Sequence, residues 1–147
     1  MCNILYKLVL KVLANKLKKI LLDIISDTQS AFQSDKAISD NILVVFETLH
    51  HMKNKRVGKS GFMIMKFDMS KTYDRVEWGF LCCLMKRMGF HDRWINLIFG
   101  CISSVSYSVL VNGEPHGDIK PTRGIRQGDP LSPYLFLLCL EWLNGLI

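Results

Sequence analysis

Lys66 to Trp78 reads KFDMSKTYDRVEW, and it follows directly on Phe62 to Met65, FMIM. The run Phe62 to Asp68 is too apolar for a loop and too short for a typical helix. It therefore predicts a mostly buried strand with Asp68 at its exit. Asp74 and Glu77 have the spacing of a capping box, and Val76, Phe80, Leu84 and Met88 then fall on one helical row that Gly89 would stop. A carboxylate at a strand end, a polar turn through Met69, Ser70 and Lys71, and a helix start suit phosphoryl transfer. That chemistry needs oxygen ligands for two divalent cations about 4 Å apart. It also gains from backbone N–H groups at a helix start that face phosphate. Taken alone, Asp68 reads as a metal ligand or a turn cap, and Asp74 as a helix cap.

Working outward, Ile4, Leu5, Leu8, Val12, Leu13, Leu17, Ile20, Leu21 and Ile24 recur at helical spacing, with Lys7, Lys11, Lys18 and Lys19 mostly between them. This predicts one long amphipathic helix. A second helical pattern starts at Asp40 and runs through Ile42, Leu43, Phe46 and Leu49 to the basic run KNKRVGKSG, Lys53 to Gly61. Downstream, Trp94, Leu97, Ile98, Cys101 and Ile102 form another stripe, and Asn112-Gly113 predicts a hairpin turn. The loop TRGIRQGDPLSP leads into a last apolar helix that Pro130 or Ser132 would start. The three tryptophans, Trp78, Trp94 and Trp142, sit on or beside apolar stripes and read as core. His50-His51 has no further ligand at metal spacing and reads as surface.

The chain has 147 residues and is 49% hydrophobic, enough for one domain with a sizeable core. Its net charge of +6 favours polyanions, nucleic acid or an anionic membrane surface. The five cysteines, Cys2, Cys82, Cys83, Cys101 and Cys139, form neither a CxxC pair nor a metal pattern, so reduced thiols in an intracellular setting, nuclear or cytoplasmic, are expected. No secretory signal opens the chain. The apolar stretch Leu131 to Ile147 contains Glu141 and Asn144 and reads as a buried helix rather than a membrane span.

KFDMSKTYDRVEW resembles motif A of the reverse transcriptases of non-LTR, LINE-type retrotransposons, in the form common in plants. RGIRQGDPLSP, Arg123 to Pro133, resembles motif B of the same family. The segments NILYKLVLKVLANKLKKILLDIISDTQSAF and ISDNILVVFETLHHMKNKRVGKSGF resemble its fingers region. The resemblance implies an α+β, right-hand polymerase fold, with about residues 1–60 fingers-like and about 61–147 an incomplete palm. It implies an RNA template, a DNA primer and dNTPs as partners, no membrane, and Mg²⁺, or Mn²⁺ in its place, as cofactor. Residue by residue, Asp68 becomes the catalytic, metal-binding aspartate. Met69, Ser70, Lys71, Tyr73, Gln127 and Gly128 become nucleotide-binding, with the Tyr73 ring at the sugar. Arg123, Gly124, Arg126 and Lys36 become template, primer or phosphate contacts. Two positions depart from the family wording: Thr72 stands where Ala is usual, and Gln33-Ser34-Asp35-Lys36 replaces Val-Pro-Gly-Arg. The second exchange gives up a Pro-Gly turn and a bidentate Arg. Lys53, Lys55, Arg56 and Lys59 read either as a template-tracking surface or as a solvated loop.

The family completes its metal site with a Tyr-x-Asp-Asp hairpin after motif B, and no adjacent Asp-Asp pair occurs in this sequence. One aspartate does not hold two Mg²⁺ ions in fixed geometry. The expectation is an incomplete polymerase domain, inactive alone and needing a further palm and thumb segment. Large apolar side chains would then stand exposed, at about 1.5–3 kcal/mol each. The alternatives are a non-catalytic nucleic-acid-binding remnant and a decayed reading frame that does nothing.

Overall fold

The computed structural model describes residues 4–26, 29–30, 37–55, 61–66 and 68–145. The chain divides into two compact units, Met1–Ile25 with Lys71–Ile147, and Ser26–Ser70.

In the larger unit, α1 (Ile4–Ile24) is one long helix as predicted, but it buries Leu10, Leu13, Ala14, Leu17 and Leu21, so that of the predicted stripe only Leu13, Leu17 and Leu21 are buried while Ile4, Leu5, Leu8, Val12 and Ile20 stay exposed. A 3₁₀ turn, Tyr73–Arg75, precedes α3 (Trp78–Arg87), which buries Trp78, Leu81, Leu84 and Met85. Gly89 ends this region at φ +85°, and its N–H bonds the Lys86 carbonyl. α4 (Asp92–Ser103) buries Ile95, Ile98 and Cys101 and is capped by the His91 ring, which accepts from the Arg93 N–H. α5 (Ser132–Asn144) starts at Ser132 with Pro133 in its first turn, and buries Leu135, Leu137 and Leu138. The core of this unit lies where α1, α3, α4 and α5 converge. Between α4 and α5 stands an antiparallel hairpin, β1 (Tyr107–Val111) and β2 (Glu114–Ile119). Its turn, Asn112 at φ +54° and Gly113 at φ +89°, has the left-handed pair that a tight two-residue hairpin demands. Every residue of both strands is exposed, so the hairpin is held by its own ladder and turn rather than by burial.

In the smaller unit, α2 (Ile38–Asn54) begins two residues before the predicted start. Asp40 serves as its third residue, and the carboxylate accepts from the Ala37 N–H. Ile42, Leu43, Val44, Val45, Phe46 and Leu49 are all exposed along it.

Two further expectations fail. Residues 61–66 and Asp68 form no regular structure, and Phe62, Met63, Ile64 and Met65 are exposed rather than buried. Phe67 lies outside the described residues. A strand exists only when another backbone takes its N–H and C=O groups. The only ladder among the described residues is the one between β1 and β2. The Asp74–Glu77 capping box does not form either. Asp74 sits in the 3₁₀ turn, Val76 is extended at ψ 112°, and Glu77 takes the cap position before α3 with no side-chain capping bond.

The four described cysteines are free, as expected, and burial pushes the Cys139 thiol up to about 11, so it stays protonated near neutral pH. Cys2 lies outside the described residues. No helix among the described residues is long and apolar enough to cross a membrane.

The core assignment makes a direct prediction. Leu138→Ala empties a fully buried position and costs about 2–5 kcal/mol by urea unfolding. Leu110→Ala, on a hairpin residue that is 70% exposed, shifts stability by no more than about 0.5 kcal/mol. Equal losses at the two sites would contradict the placement of the core.

Candidate functional site

Within the larger unit the end of the first motif, Tyr73 to Trp78, meets the glycine-bearing Arg123 to Pro133 loop through the backbone. The Gly124 N–H bonds the Val76 carbonyl at 2.7 Å and the Ile125 N–H bonds the Tyr73 carbonyl at 2.8 Å. In return the Trp78 indole N–H donates to the Gly124 carbonyl at 2.6 Å. Arg123 Nη1 reaches Glu77 Oε1 at 3.3 Å, an exposed pair that adds little energy but keeps the register. These bonds also explain the missing capping box. The carbonyls of Tyr73 and Val76 are turned out to the loop, so the chain cannot wind a regular helix through Asp74.

Gly124 is required twice over. Its φ is +91°, and a Cβ built there would lie 3.2 Å from the Asp74 carbonyl oxygen and 3.3 Å from the Asp74 Cα. Gly128 has φ +85° with open space around it, so only its backbone angle calls for glycine. Lys71 also takes a left-handed angle, φ +52°, which reverses the chain just ahead of the 3₁₀ turn.

Tyr73 is half-buried, stacked on Phe136 of α5 with centroids 5.1 Å apart and planes at 27°. Burial pushes its hydroxyl above the usual tyrosine range. Behind the loop opens a pocket of about 460 Å³. Arg123, Gly124, Arg126, Gln127 and Asp129 line it from the loop, Tyr6 and Leu10 from α1, and Tyr107 from the hairpin. Asp129 is 7% exposed. Burial raises its pKa, opposed first by the Arg126 guanidinium and then by the Lys7 ammonium.

Of the residues singled out in the sequence, the fold thus gathers Arg123, Gly124, Arg126 and Gln127 around one pocket, with the backbone of Tyr73 tied to the same loop. The Tyr73 ring and Gly128 do not line that pocket. Asp68, Met69 and Ser70 are exposed and belong to the smaller unit; Lys36 lies outside the described residues. Trp78, Glu77 and Asp129 were not marked for the site. Their signal was present in principle, since a tryptophan with a donor and a carboxylate between Gly128 and Pro130 both need partners once buried.

Among the described residues no three of His, Cys, Asp and Glu converge where a cation could be held. The carboxylate that motif A supplies, Asp68, stands in solvent.

Two stability predictions follow from this geometry. Gly124→Ala destabilises more than Gly128→Ala in urea unfolding. Both take on the left-handed penalty of about 1–2 kcal/mol, but only Gly124→Ala also pushes against the Asp74 backbone. Equal effects would show that the close approach relaxes freely. For Asp129 the sign is set by burial: the folded state holds its proton to higher pH than the unfolded state, so this group lowers stability as pH rises through and above the ordinary carboxylate range. Asp129→Asn removes that fall, and its urea midpoint, matching wild type in acid, lies above it near neutral pH. A variant less stable at neutral pH would show that Arg126 and Lys7 outweigh the burial.

The reverse transcriptase (RNA-dependent DNA polymerase) family profile matches residues 1–147. The chain is 29% identical over 136 residues to the transposon TX1 uncharacterized 149 kDa protein of Xenopus laevis, covering 92% of this chain and 10% of that protein. It is 30% identical over 94 residues to the retrovirus-related Pol polyprotein from the type-1 retrotransposable element R2 of Popillia japonica, covering 63% of this chain and 13% of that one. An uncharacterized mitochondrial protein of Arabidopsis thaliana is 65% identical over 37 residues, covering 25% of this chain and 30% of that one. The chain therefore spans less than a third of the length of each of these relatives. With the family profile matched along its whole length and homologues among non-LTR retrotransposon proteins, the chain belongs to the reverse transcriptase family.

Proposed function

We propose that this chain supplies template- and nucleotide-binding surface of an RNA-directed DNA polymerase of the non-LTR retrotransposon type, and that by itself it binds without catalysing extension. In this reading about residues 1–60 serve as fingers and about 61–147 as palm of a right-hand polymerase. RNA template, DNA primer and dNTPs are the partners. Tyr73 meets the sugar of the incoming nucleotide, where its ring would crowd a 2′-hydroxyl. The turn through Met69, Ser70 and Lys71 offers backbone N–H groups to the triphosphate. Gln127 and Gly128 meet a base, and Arg123, Gly124, Arg126 and Lys36 contact phosphate or template.

The observation that supports this most directly is the hydrogen-bonded join between the two motifs, Trp78 to Gly124 across 46 residues of sequence. Two segments that act on one nucleotide must be held in register, and beside the indole bond the Gly124 N–H to Val76 carbonyl and Ile125 N–H to Tyr73 carbonyl bonds support that register through backbone groups alone. The Tyr73–Phe136 stack holds the ring against α5. The family generally uses divalent metals. Asp68 is the residue of this chain assigned to one, and a single exposed carboxylate leaves the ions mainly in water. Hence binding is retained and turnover is not.

Primer extension on an RNA template, with Mg²⁺ and dNTPs, tests this. The expected result is no incorporation by the 147-residue chain, together with salt-sensitive binding of the primer–template that survives Asp68→Asn. Incorporation that Asp68→Asn abolishes would overturn the claim that this chain does not turn over.

A further inference from the structure

Beyond the two motifs, α1 carries Lys7, Lys11, Lys16, Lys18 and Lys19 against a single acid, Asp23. At 100° per residue Lys7, Lys11 and Lys18 fall within about 40° of one another, in a row roughly 16 Å long beside the buried stripe. Lys16 and Lys19 lie away from that row. The row begins next to Tyr6, which lines the pocket behind the Arg123 to Gln127 loop, and the same pocket holds Arg126 and the ring of Tyr107. Burial raises the pKa of Asp129 in the pocket wall, and the Arg126 guanidinium and then the Lys7 ammonium oppose that rise only in part. A line of ammonium groups running to a mouth with an arginine and an accessible aromatic ring is the arrangement that single strands use. Phosphates follow the cations, and an unpaired base stacks at the ring.

We propose that α1 is a track for a single-stranded nucleic acid, whose phosphates lie along Lys7, Lys11 and Lys18 and one base of which enters the pocket beside Tyr107. This rests on the binding function proposed above and extends it to residues outside both motifs. A duplex cannot offer a base to the pocket without unpairing, which is why the strand is single. A bilayer is the weaker partner, because Leu10, Leu13, Leu17 and Leu21 are already taken up by the unit's own core. Leu5, Leu8 and Val12 stay exposed about a third of a turn from the lysine row, so vesicles belong in the test.

The experiment is fluorescence anisotropy of labelled oligo(U) and oligo(dT), each about 12 nucleotides, titrated with the full chain over a range of KCl. Lys7→Gln/Lys11→Gln/Lys18→Gln is expected to lower the log–log salt slope by about 2, at roughly 0.7 per phosphate released. Tyr107→Ala is expected to weaken binding about tenfold with the slope unchanged. Lys16→Gln/Lys19→Gln is expected to leave both alone. Equal slope loss per charge in the two lysine variants means diffuse attraction and overturns the track, as does an unchanged slope in the triple variant. An unchanged affinity in Tyr107→Ala overturns the base-entry part. Wild-type chain that binds phosphatidylserine vesicles but neither oligonucleotide overturns it in favour of a membrane surface. A primer–template duplex measured alongside separates the two ideas: duplex binding without single-strand binding sinks the track and leaves the binding reading above standing, whereas loss of both sinks both. Oligo(U) and oligo(dT) are expected to bind alike, and a preference for either identifies the strand carried.

Discussion

The join at Gly124 organises the larger unit. One residue gives its N–H to Val76 and its carbonyl to the Trp78 indole, and its missing Cβ lets the Asp74 backbone lie 3.2 Å from where that atom would be. Each bond is worth only about 0.5–1.5 kcal/mol net, yet leaving any of these groups buried and unpaired would cost about 1–3 kcal/mol. The energy is therefore less important than the register. In this position the loop satisfies the Tyr73 and Val76 carbonyls together. The entry into α3, the irregular backbone at Val76 and the burial of Trp78 against Phe99 all follow from that choice.

The loop works on two sides. Its backbone polar groups face the 3₁₀ turn, while Arg126, Gln127 and the buried Asp129 face the pocket. A segment can serve both only if its side chains and its peptide groups point apart, which needs left-handed angles at Gly124 and Gly128. Asp129 brings a cost in desolvation that Arg126 and Lys7 offset in part.

How much was legible in the sequence depended on how far away each element's partner lies. α1, α3, α4 and α5 bond within themselves, so apolar period, Gly89 and Ser132 marked their presence and most of their ends, the start of α3 excepted, where the cap lies at Glu77 rather than Asp74. The hairpin was legible for the same reason, because Asn112-Gly113 brings its two strands together locally. Phe62 to Asp68 has strand composition, but composition supplies no partner, and the described part of that run pairs with nothing. The capping box had the right residues at the right spacing and lost to carbonyl acceptors claimed by Gly124 and Ile125, which lie far along the chain. At the site, the glycines and arginines were legible as a type of loop. That Gly124 touches Asp74, and that Asp129 is buried, are tertiary facts with no local signature.

The burial pattern then bears on what such a surface is for. The larger unit fills its interior with leucines from α1 and α5, yet leaves Val109, Leu110, Val111 and Ile119 of the hairpin in water. Scattered exposed apolar side chains are ordinary, but four on one short hairpin, each with an unpaired strand edge nearby, are a surface suited to further contact. The hairpin stands beside the pocket through Tyr107, so whatever covers its strands also shapes the pocket mouth. Tyr6 and Leu10 of α1 form the pocket's other wall, and its charged groups, Arg123, Arg126 and Asp129, come from the loop between, so the opening joins flat rings to a cluster of charge on one short segment.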